Sequence, residues 1–326
     1  MILAGDIGGT KTSLALFDIQ ENLLVLHTQH QFASQNYSSF SDVIREFIQI
    51  SPEVVITSAS FGIAGPIIDE RCRTTNLPWD ISAHDLREQL GIDTVYLLND
   101  LEATAYGMLY LSDDDFLDLN PNAIALSGNC AVIAAGTGLG EAMLYFDGKN
   151  YHPIASEGGH CDFAPLSAQQ DALLLWLRHR FPEHVSLERI LSGPGISTLY
   201  DFLRESGFAA ESDFLKNLSD NIDKSARISE GALLHKDPLC VETLRLFCEI
   251  YGAESGNLAL KTMSLGGVYI GGGIAPKIVP FLKNGTFLNA FIAKGRFEPM
   301  LRNMTLKVSL NPETALLGAG HFAKDH

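Results

Sequence analysis

The chemistry open to this chain is concentrated in a few short stretches. Asp6-Ile7-Gly8-Gly9-Thr10-Lys11 sets a carboxylate at the mouth of a glycine turn. Gly8 and Gly9 carry no Cβ, so backbone N–H groups can approach an anion and wrap it as a nest, while Asp6 can hold a hydrated Mg2+ beside a bound polyphosphate. The same residues also suit a plain Gly-Gly hairpin. Asn99-Asp100 pairs an amide with a carboxylate that has no basic neighbour in sequence. A general base must come within about 3 Å of a substrate hydroxyl where water is limited, and Asp100 suits that role; it equally suits the N-cap of a helix starting near Leu101.

Glu157-Gly158-Gly159-His160-Cys161-Asp162-Phe163-Ala164-Pro165 is the most distinctive segment. Two glycines between an acid and an imidazole argue against a helix, so Glu157 and His160 are expected to project from a loop toward a shared ligand. Together with Asn99 and Asp100 they supply donors and acceptors suited to several sugar hydroxyls; alternatively, His160 ties down its own loop. The Glu-x-x-His of di-iron bundles requires a helix and a second copy, and the sequence offers neither. Glu188 is an acid at a turn, either near the same pocket or solvated. Trp79 is either a sugar-flanking ring or core.

Ordinary phosphate motifs are missing. No G-x-x-x-x-G-K-[ST] occurs, since Lys11 follows Thr10 with the glycines at the wrong distance. Gly136-Thr137-Gly138-Leu139-Gly140 approaches G-x-G-x-x-G, but Glu141 takes its final position and the run leads into a strand.

Apolar patterning shows the elements that position these residues. Strand, glycine turn, strand opens the chain, and Leu23 to Phe32 continues as a third strand. Helical spacing runs from Tyr37 to Ile50, strand character from Val54 to Phe61, a helix from about Ser82 to Leu90, and a short strand from Thr94 to Leu98 that delivers Asn99-Asp100 to the next helix. Ser112 to Asn120, with four aspartates, reads as a solvated loop. The opening pattern then returns at constant offset: Gly138 falls on Gly9, Phe146 on Phe17 and Asp147 on Asp18, which points to a duplicated fold. Helices follow at Leu166 to Arg180, Gly195 to Arg204 and Asp237 to Thr262. Gly266 to Ile270 is a strand entering a third glycine turn, Gly271-Gly272-Gly273. Met304 to Leu310 and Pro312 to Phe322 are a closing strand and helix, the helix expected to return onto the first domain.

With 326 residues the chain is expected to form two domains. Hydrophobic residues at 46% and charged residues at 19% fit a globular protein. A net charge of −16 without a basic block argues against nucleic acid or an anionic membrane as partner. The N-terminus lacks a signal-peptide pattern and no run of about 18 apolar residues occurs, so a soluble, cytoplasmic protein is expected. Five cysteines without a C-x-x-C pair are expected to be reduced and mostly buried.

Gly5-Asp6-Ile7-Gly8-Gly9-Thr10, Leu98-Asn99-Asp100-Leu101-Glu102-Ala103, Gly136 to Gly140, Glu157 to Pro165, Leu191-Ser192-Gly193-Pro194-Gly195 and Gly271-Gly272-Gly273-Ile274 occur in the order seen in bacterial glucokinases, and over nearly its whole length the chain resembles that ATP-dependent family. The resemblance implies a duplicated ribonuclease-H-like α/β fold of the actin and hexokinase type, with two domains around an interdomain cleft: a small one from 1–110 plus 311–326 and a large one from 111–310. It implies a homodimer, ATP and Mg2+, and glucose as substrate. ATP phosphates would meet Gly8, Gly9, Thr10 and Lys11 and, on the second turn, Thr137 and Gly138. Adenosine would lie near Gly272 and Gly273, and Asp6 would hold Mg2+ through water. Asn99, Glu157, His160 and Glu188 would bind glucose, with Asp100 taking the proton of its 6-hydroxyl. Several members have Asn where this chain has Lys11; a Lys there also occurs in the related ROK sugar kinases, whose cysteine-rich zinc motif is missing here. Other readings are a kinase for another hexose or aminosugar, or a non-catalytic sugar sensor.

Overall fold

The two apolar runs flanking the first glycine turn are strands. Ile2–Ile7 (β1) and Lys11–Gln20 (β2) pair antiparallel with Ile7 opposite Thr12, and Leu23–Ala33 (β3) adds antiparallel to β2. The computed structural model describes residues 1–50, 53–74, 76–216 and 222–326. Helix α1 (Phe40–Ile50) buries Phe40, Val43, Ile44 and Phe47, the face its spacing predicts. Strand β4 (Ser58–Ile63) begins four residues later than the apolar run from Val54. Its parallel register sets Ser58 opposite Ile2, so the residues before it pass the end of β1 and meet Met1 instead, whose amine donates to the Val55 carbonyl at 2.7 Å and whose carbonyl accepts from Thr57 N–H at 2.9 Å. After α2 (Ala83–Leu90), capped by Ser82, strand β5 (Thr94–Asn99) lies parallel to β4 and runs into α3 (Asp100–Met108). The first sheet has the order β3-β2-β1-β4-β5.

The second half repeats this order. Its strands are β6 (Phe116–Asp118), β7 (Cys130–Ala135), β8 (Leu139–Phe146), β9 (Tyr151–Ser156), β10 (Gly267–Gly271) and β11 (Leu306–Ser309), arranged β9-β8-β7-β10-β11-β6. Setting β6 aside, each sheet runs third, second, first, fourth, fifth in order of appearance, so the duplication signalled by two glycine turns extends to the topology. Strand β6 corrects the expectation of a solvated loop at Ser112 to Asn120: it pairs antiparallel with β11. Three residues are too few to show a period, and the surrounding aspartates mask them.

Helices α4 (Ala168–Arg180), α5 (Gly193–Glu205), α6 (Lys224–Glu230) and α7 (Pro238–Thr262) follow in the second half, α5 capped by Ser192 and α7 by Asp237. The last helix, α9, follows α8 (Thr286–Ile292) and spans Thr314–Asp325. As expected it returns to the N-terminal strands: Leu316, Ala319 and Ala323 form one apolar cluster with Ile2, Ala4, Ala15 and Phe17. It also crosses α3 at very close range, with Gly318 against the Ala103 carbonyl and Gly107 against the Thr314 carbonyl; a Cβ at either glycine would overlap that oxygen.

The chain forms two compact units, one from Met1–Asp115, Ala142–Ala155 and Asn311–His326, the other from Phe116–Glu141 and Ser156–Leu310. Trp79 is core, 2% exposed, and its indole N–H donates to the Tyr37 carbonyl. The cysteines carry free thiols, four buried and Cys161 exposed. Among the described residues no helix is long and apolar enough to cross a membrane.

Candidate active site

In the first unit, the glycine turn between β1 and β2 is closed by Gly8 N–H donating to the Lys11 carbonyl at 3.0 Å. Ser34, fully buried, braces it from outside: its hydroxyl donates to the Gly8 carbonyl at 2.8 Å and its N–H to the Thr10 carbonyl at 3.0 Å. No sequence signal marks Ser34, which lies on a one-turn 3-10 segment after β3. Thr10 and Lys11 are exposed, leaving the tip of the turn open to a ligand. The Asp6 carboxyl is pushed up to about 6, chiefly by burial, with Lys11 pulling it down and Glu313 adding to the rise. A carboxylate in such a position is stabilised by a further cation. Mg2+ fits it, because that ion takes one or two carboxylates, retains waters and completes its shell with substrate phosphate. Among the described residues no cluster of three His, Cys, Asp or Glu forms a metal cage, and a shared, hydrated ion requires none.

The end of β5 presents Asn99 and Asp100. Here the sequence-based alternative for Asp100 needs correction, because the N-cap of α3 is Asn99. Its Oδ1 accepts from Leu101 N–H at 2.9 Å, and Glu102 Oε2 reaches back to the Asn99 N–H at 2.9 Å, a capping box. Asn99 Nδ2 also donates to the Gly65 carbonyl at 3.1 Å. An amide has two donors and two acceptor sites; with Oδ1 accepting from the backbone of Leu101 and Glu102, Asn99 retains one N–H donor for a ligand. Asp100 is the first helical residue, half-buried, with Oδ1 accepting from Leu101 N–H at 2.9 Å. It stands at the carboxyl end of a parallel strand, where open α/β sheets bind ligands.

In the second unit, Gly158–His160 forms a single 3-10 turn where a loop is expected, with His160 N–H donating to the Glu157 carbonyl at 3.0 Å and Cys161 N–H to the Gly158 carbonyl at 2.9 Å. Its glycines are explained by what lies beneath: a Cβ on Gly159 would strike the Leu139 carbonyl, and one on Gly158 the Glu141 carboxylate. Only a turn that lacks a Cβ at 158 and 159 can sit this low on β8. Because backbone bonds hold the turn, the side chains of Glu157 and His160 stay exposed above it. The chain then runs beside 185–187, with Phe163 N–H on the Val185 carbonyl and Leu187 N–H on the Cys161 carbonyl, each at 2.9 Å. That pairing brings Glu188 alongside. Glu188 is half-buried, not solvated, and its Oε2 accepts from Leu139 N–H at 3.0 Å, directly after the second glycine turn.

Three glycine segments converge at the carboxyl ends of β7 and β10, which are parallel neighbours. Gly136 N–H donates to the Gly138 carbonyl and Gly193 N–H to the Gly136 carbonyl, both at 2.8 Å, while Ile274 N–H reaches the Ala135 carbonyl at 3.3 Å. Beside them lies a cavity of about 810 Å³ with Thr137, Pro194 and Gly273 on its rim and Ile196, Leu233 and Ile274 among its apolar walls. Thr137 and Gly273 thus meet at one cavity, and Gly138 and Gly272 are their chain neighbours. Sequence reasoning missed Ile196, Ser225, Leu233 and Lys277, all lining residues. The Gly193-Pro194 dipeptide is visible as a helix start, but nothing in the sequence attaches α6 to this site.

Two sheets of like strand order, each with a glycine turn between its first two strands, define the duplicated α/β fold of the actin and hexokinase class. A ROK-family glucokinase from Streptomyces griseus, solved with glucose and AMPPNP, shares this fold at a TM-score of 0.68 and 19% identity, over 100% of this chain and 99% of that one. Similarity is far higher to a glucokinase from an Antarctic psychrotroph, with a TM-score of 0.87, 30% identity, and coverage of 100% and 99%. The glucokinase of Nostoc punctiforme is 39% identical over 333 residues, 98% of this chain and 97% of the relative. Residues 3–326 match the family described as Glucokinase, and the chain belongs to that family.

Proposed function

We propose that this protein transfers the γ-phosphoryl group of ATP to the 6-hydroxyl of glucose, giving glucose 6-phosphate and ADP. In a member of the glucokinase family, the observation that carries this is strand β8. At its start lies the second glycine turn, with Thr137 exposed, and on its back sits the turn that exposes Glu157 and His160.

Gly8, Gly9, Thr10 and Lys11 in the first unit and Thr137 and Gly138 in the second are assigned to the ATP phosphates. Adenosine is assigned to the cavity beside Gly272 and Gly273, whose apolar walls suit a planar base. Bound at Asp6 through water, Mg2+ would neutralise and orient the phosphates. Asn99, Glu157, His160 and Glu188 bind sugar hydroxyls, and Asp100 binds the 6-hydroxyl and accepts its proton as that oxygen attacks the γ-phosphorus. Phosphoryl transfer asks the protein mainly for alignment and charge neutralisation. The enzyme acts in the cytoplasm as a homodimer, on the strength of its family resemblance.

A coupled assay with ATP against glucose, mannose, fructose, galactose and the 2-amino sugars tests the proposal. Glucose is expected to give the highest kcat/KM; a different preferred sugar reassigns the substrate, and no turnover with any of them leaves a sugar sensor. His160→Ala should raise KM for glucose by at least about tenfold, since a site built to bond hydroxyls loses strongly when a partner is removed, with KM for ATP changed less than about twofold. Gly273→Val gives the converse. A Cβ there meets nothing within 4 Å, so the fold accepts it, but the added methyls enter the cavity. KM for ATP should rise roughly tenfold, about 1.4 kcal/mol, at unchanged melting temperature. An unchanged KM would remove adenosine from this cavity.

A further inference from the structure

Beneath the turn assigned to glucose lies a buried acid with no part in the reaction as described. Glu141, 2% exposed, sits on β8 after Gly140. Its Oε1 is sealed from solvent and has no hydrogen-bond partner, and its Oε2 fills the place a β-carbon of residue 158 would need. The turn is tied to the same residue through its backbone: Ser156 Oγ donates to the Glu141 carbonyl at 2.9 Å, and Gly158 N–H donates to Ser156 Oγ at 3.2 Å. Gly159 rests on the carbonyl of Leu139, two residues earlier on the strand.

The charges packed around Glu141 leave it without a cation of its own. From α7 it faces Glu254, 4% exposed, Lys261 and the buried phenol of Tyr251. Lys261 Nζ lies 3.3 Å from Glu254 Oε1, and Asn257 Nδ2 donates to Glu254 Oε2 at 2.9 Å. Lys294 also faces Glu254 and Lys261, and Cys161, from the turn itself, faces Lys261. Ionised, Glu141 would set a second buried carboxylate beside that of Glu254, with Lys261 already on Glu254 and Lys294 on the Ala253 carbonyl and Asn257; neutral, it is a polar filler beneath Gly158 and Gly159.

We propose that Glu141 is a positioning residue for the glucose turn and acts as the neutral acid: protonated it lets Gly158 and Gly159 seat on β8 with Glu157 and His160 held above, and ionised it displaces them. This rests on the assignment of the turn to glucose. Burial first, and Glu254 second, push the Glu141 carboxyl up to about 7 from an ordinary 4.5, against the pull of Lys261. A carboxyl raised by folding binds its proton more tightly in the native chain, so its stabilising contribution is complete below about 4.5 and is lost as pH rises through about 7. Glucose affinity should fall with the same proton.

The test is KM for glucose and for ATP, and calorimetric glucose binding, between pH 6 and pH 9 in wild type, Glu141→Gln, Glu141→Ala and His160→Ala, with thermal unfolding of each without ligand. In wild type, KM for glucose should rise roughly tenfold from pH 7 to pH 8.5, without a matching rise for ATP. Glu141→Gln, an isostere of the neutral acid, should hold its pH 6 value throughout and lose the alkaline part of the decline in melting temperature. Glu141→Ala should bind glucose weakly at every pH; if it does not fold, the comparison of Glu141→Gln with wild type still decides. An alkaline rise in Glu141→Gln equal to that of wild type overturns the role of Glu141. An unmoved glucose KM in His160→Ala overturns instead the assignment of the turn to glucose.

Discussion

Asp100→Asn is expected to lower kcat by about 10² or more while glucose still binds within about tenfold of wild type. The substitution is nearly isosteric, and an Asn oxygen can still accept the Leu101 N–H that Asp100 Oδ1 accepts at 2.9 Å. The start of α3 also has its own lock, because the capping box is built from Asn99 and Glu102. The variant should therefore fold and place its amide where the carboxylate stood. What it loses is the capacity to take a proton from an attacking hydroxyl. Steady-state kinetics with calorimetric glucose binding separate the two effects. Turnover within a few fold of wild type would dismiss Asp100 as the base, and an equal loss of binding and turnover would make it a sugar ligand only.

The second large effect is on stability. At the crossing of α3 and α9 a Cβ on Gly318 overlaps the Ala103 carbonyl, and the Gly107 N–H lies close behind it. Both obstacles are backbone, so no side-chain rotation relieves them and the helices must separate. Separation would open the cluster in which Leu316, Ala319 and Ala323 cover Ile2, Ala4, Ala15 and Phe17. Gly318→Ala is thus expected at the upper end of overpacking costs, about 3 kcal/mol, visible as a lower urea midpoint. Gly91→Ala is the control: that residue ends α2 at φ 65 with nothing within 4 Å, so only the left-handed backbone penalty of about 1 kcal/mol applies. Equal losses in the two variants would show that the crossing tolerates a methyl.

Much of this was legible in the chain because it is local. The strands flanking each glycine turn and the amphipathic face of α1 follow from periodicity over a few residues. The constant offset between the two hairpins carried the duplication, since strand order follows once each half begins alike. What stayed hidden depends on partners distant in sequence. Whether Val54 to Thr57 joins a sheet depends on where β1 ends, and whether Phe116 to Asp118 is a strand depends on β11. Asp100 and Asn99 both suit an N-cap by type, and only the position of the Glu102 carboxylate separates them. Glu188 reads as solvated until the pairing of 161–163 with 185–187 sets it against Leu139. Ser34, Ser225 and Leu233 belong to common types without a motif, so their places at the turn and the cavity exist only in three dimensions.

The helix α9 makes the first unit depend on residues synthesised long after its own strands. Strands β1 and β2 emerge early, yet Ile2, Ala4, Ala15 and Phe17 share their apolar cluster with Leu316, Ala319 and Ala323. Until those arrive, that cluster lacks its α9 members, while Phe116–Glu141 and Ser156–Leu310 already hold all of the second unit. The native contacts of the first unit therefore cannot be complete until the segment 116–310 has already been made. Throughout that interval the nascent chain carries an uncovered apolar surface, the state in which aggregation competes with folding.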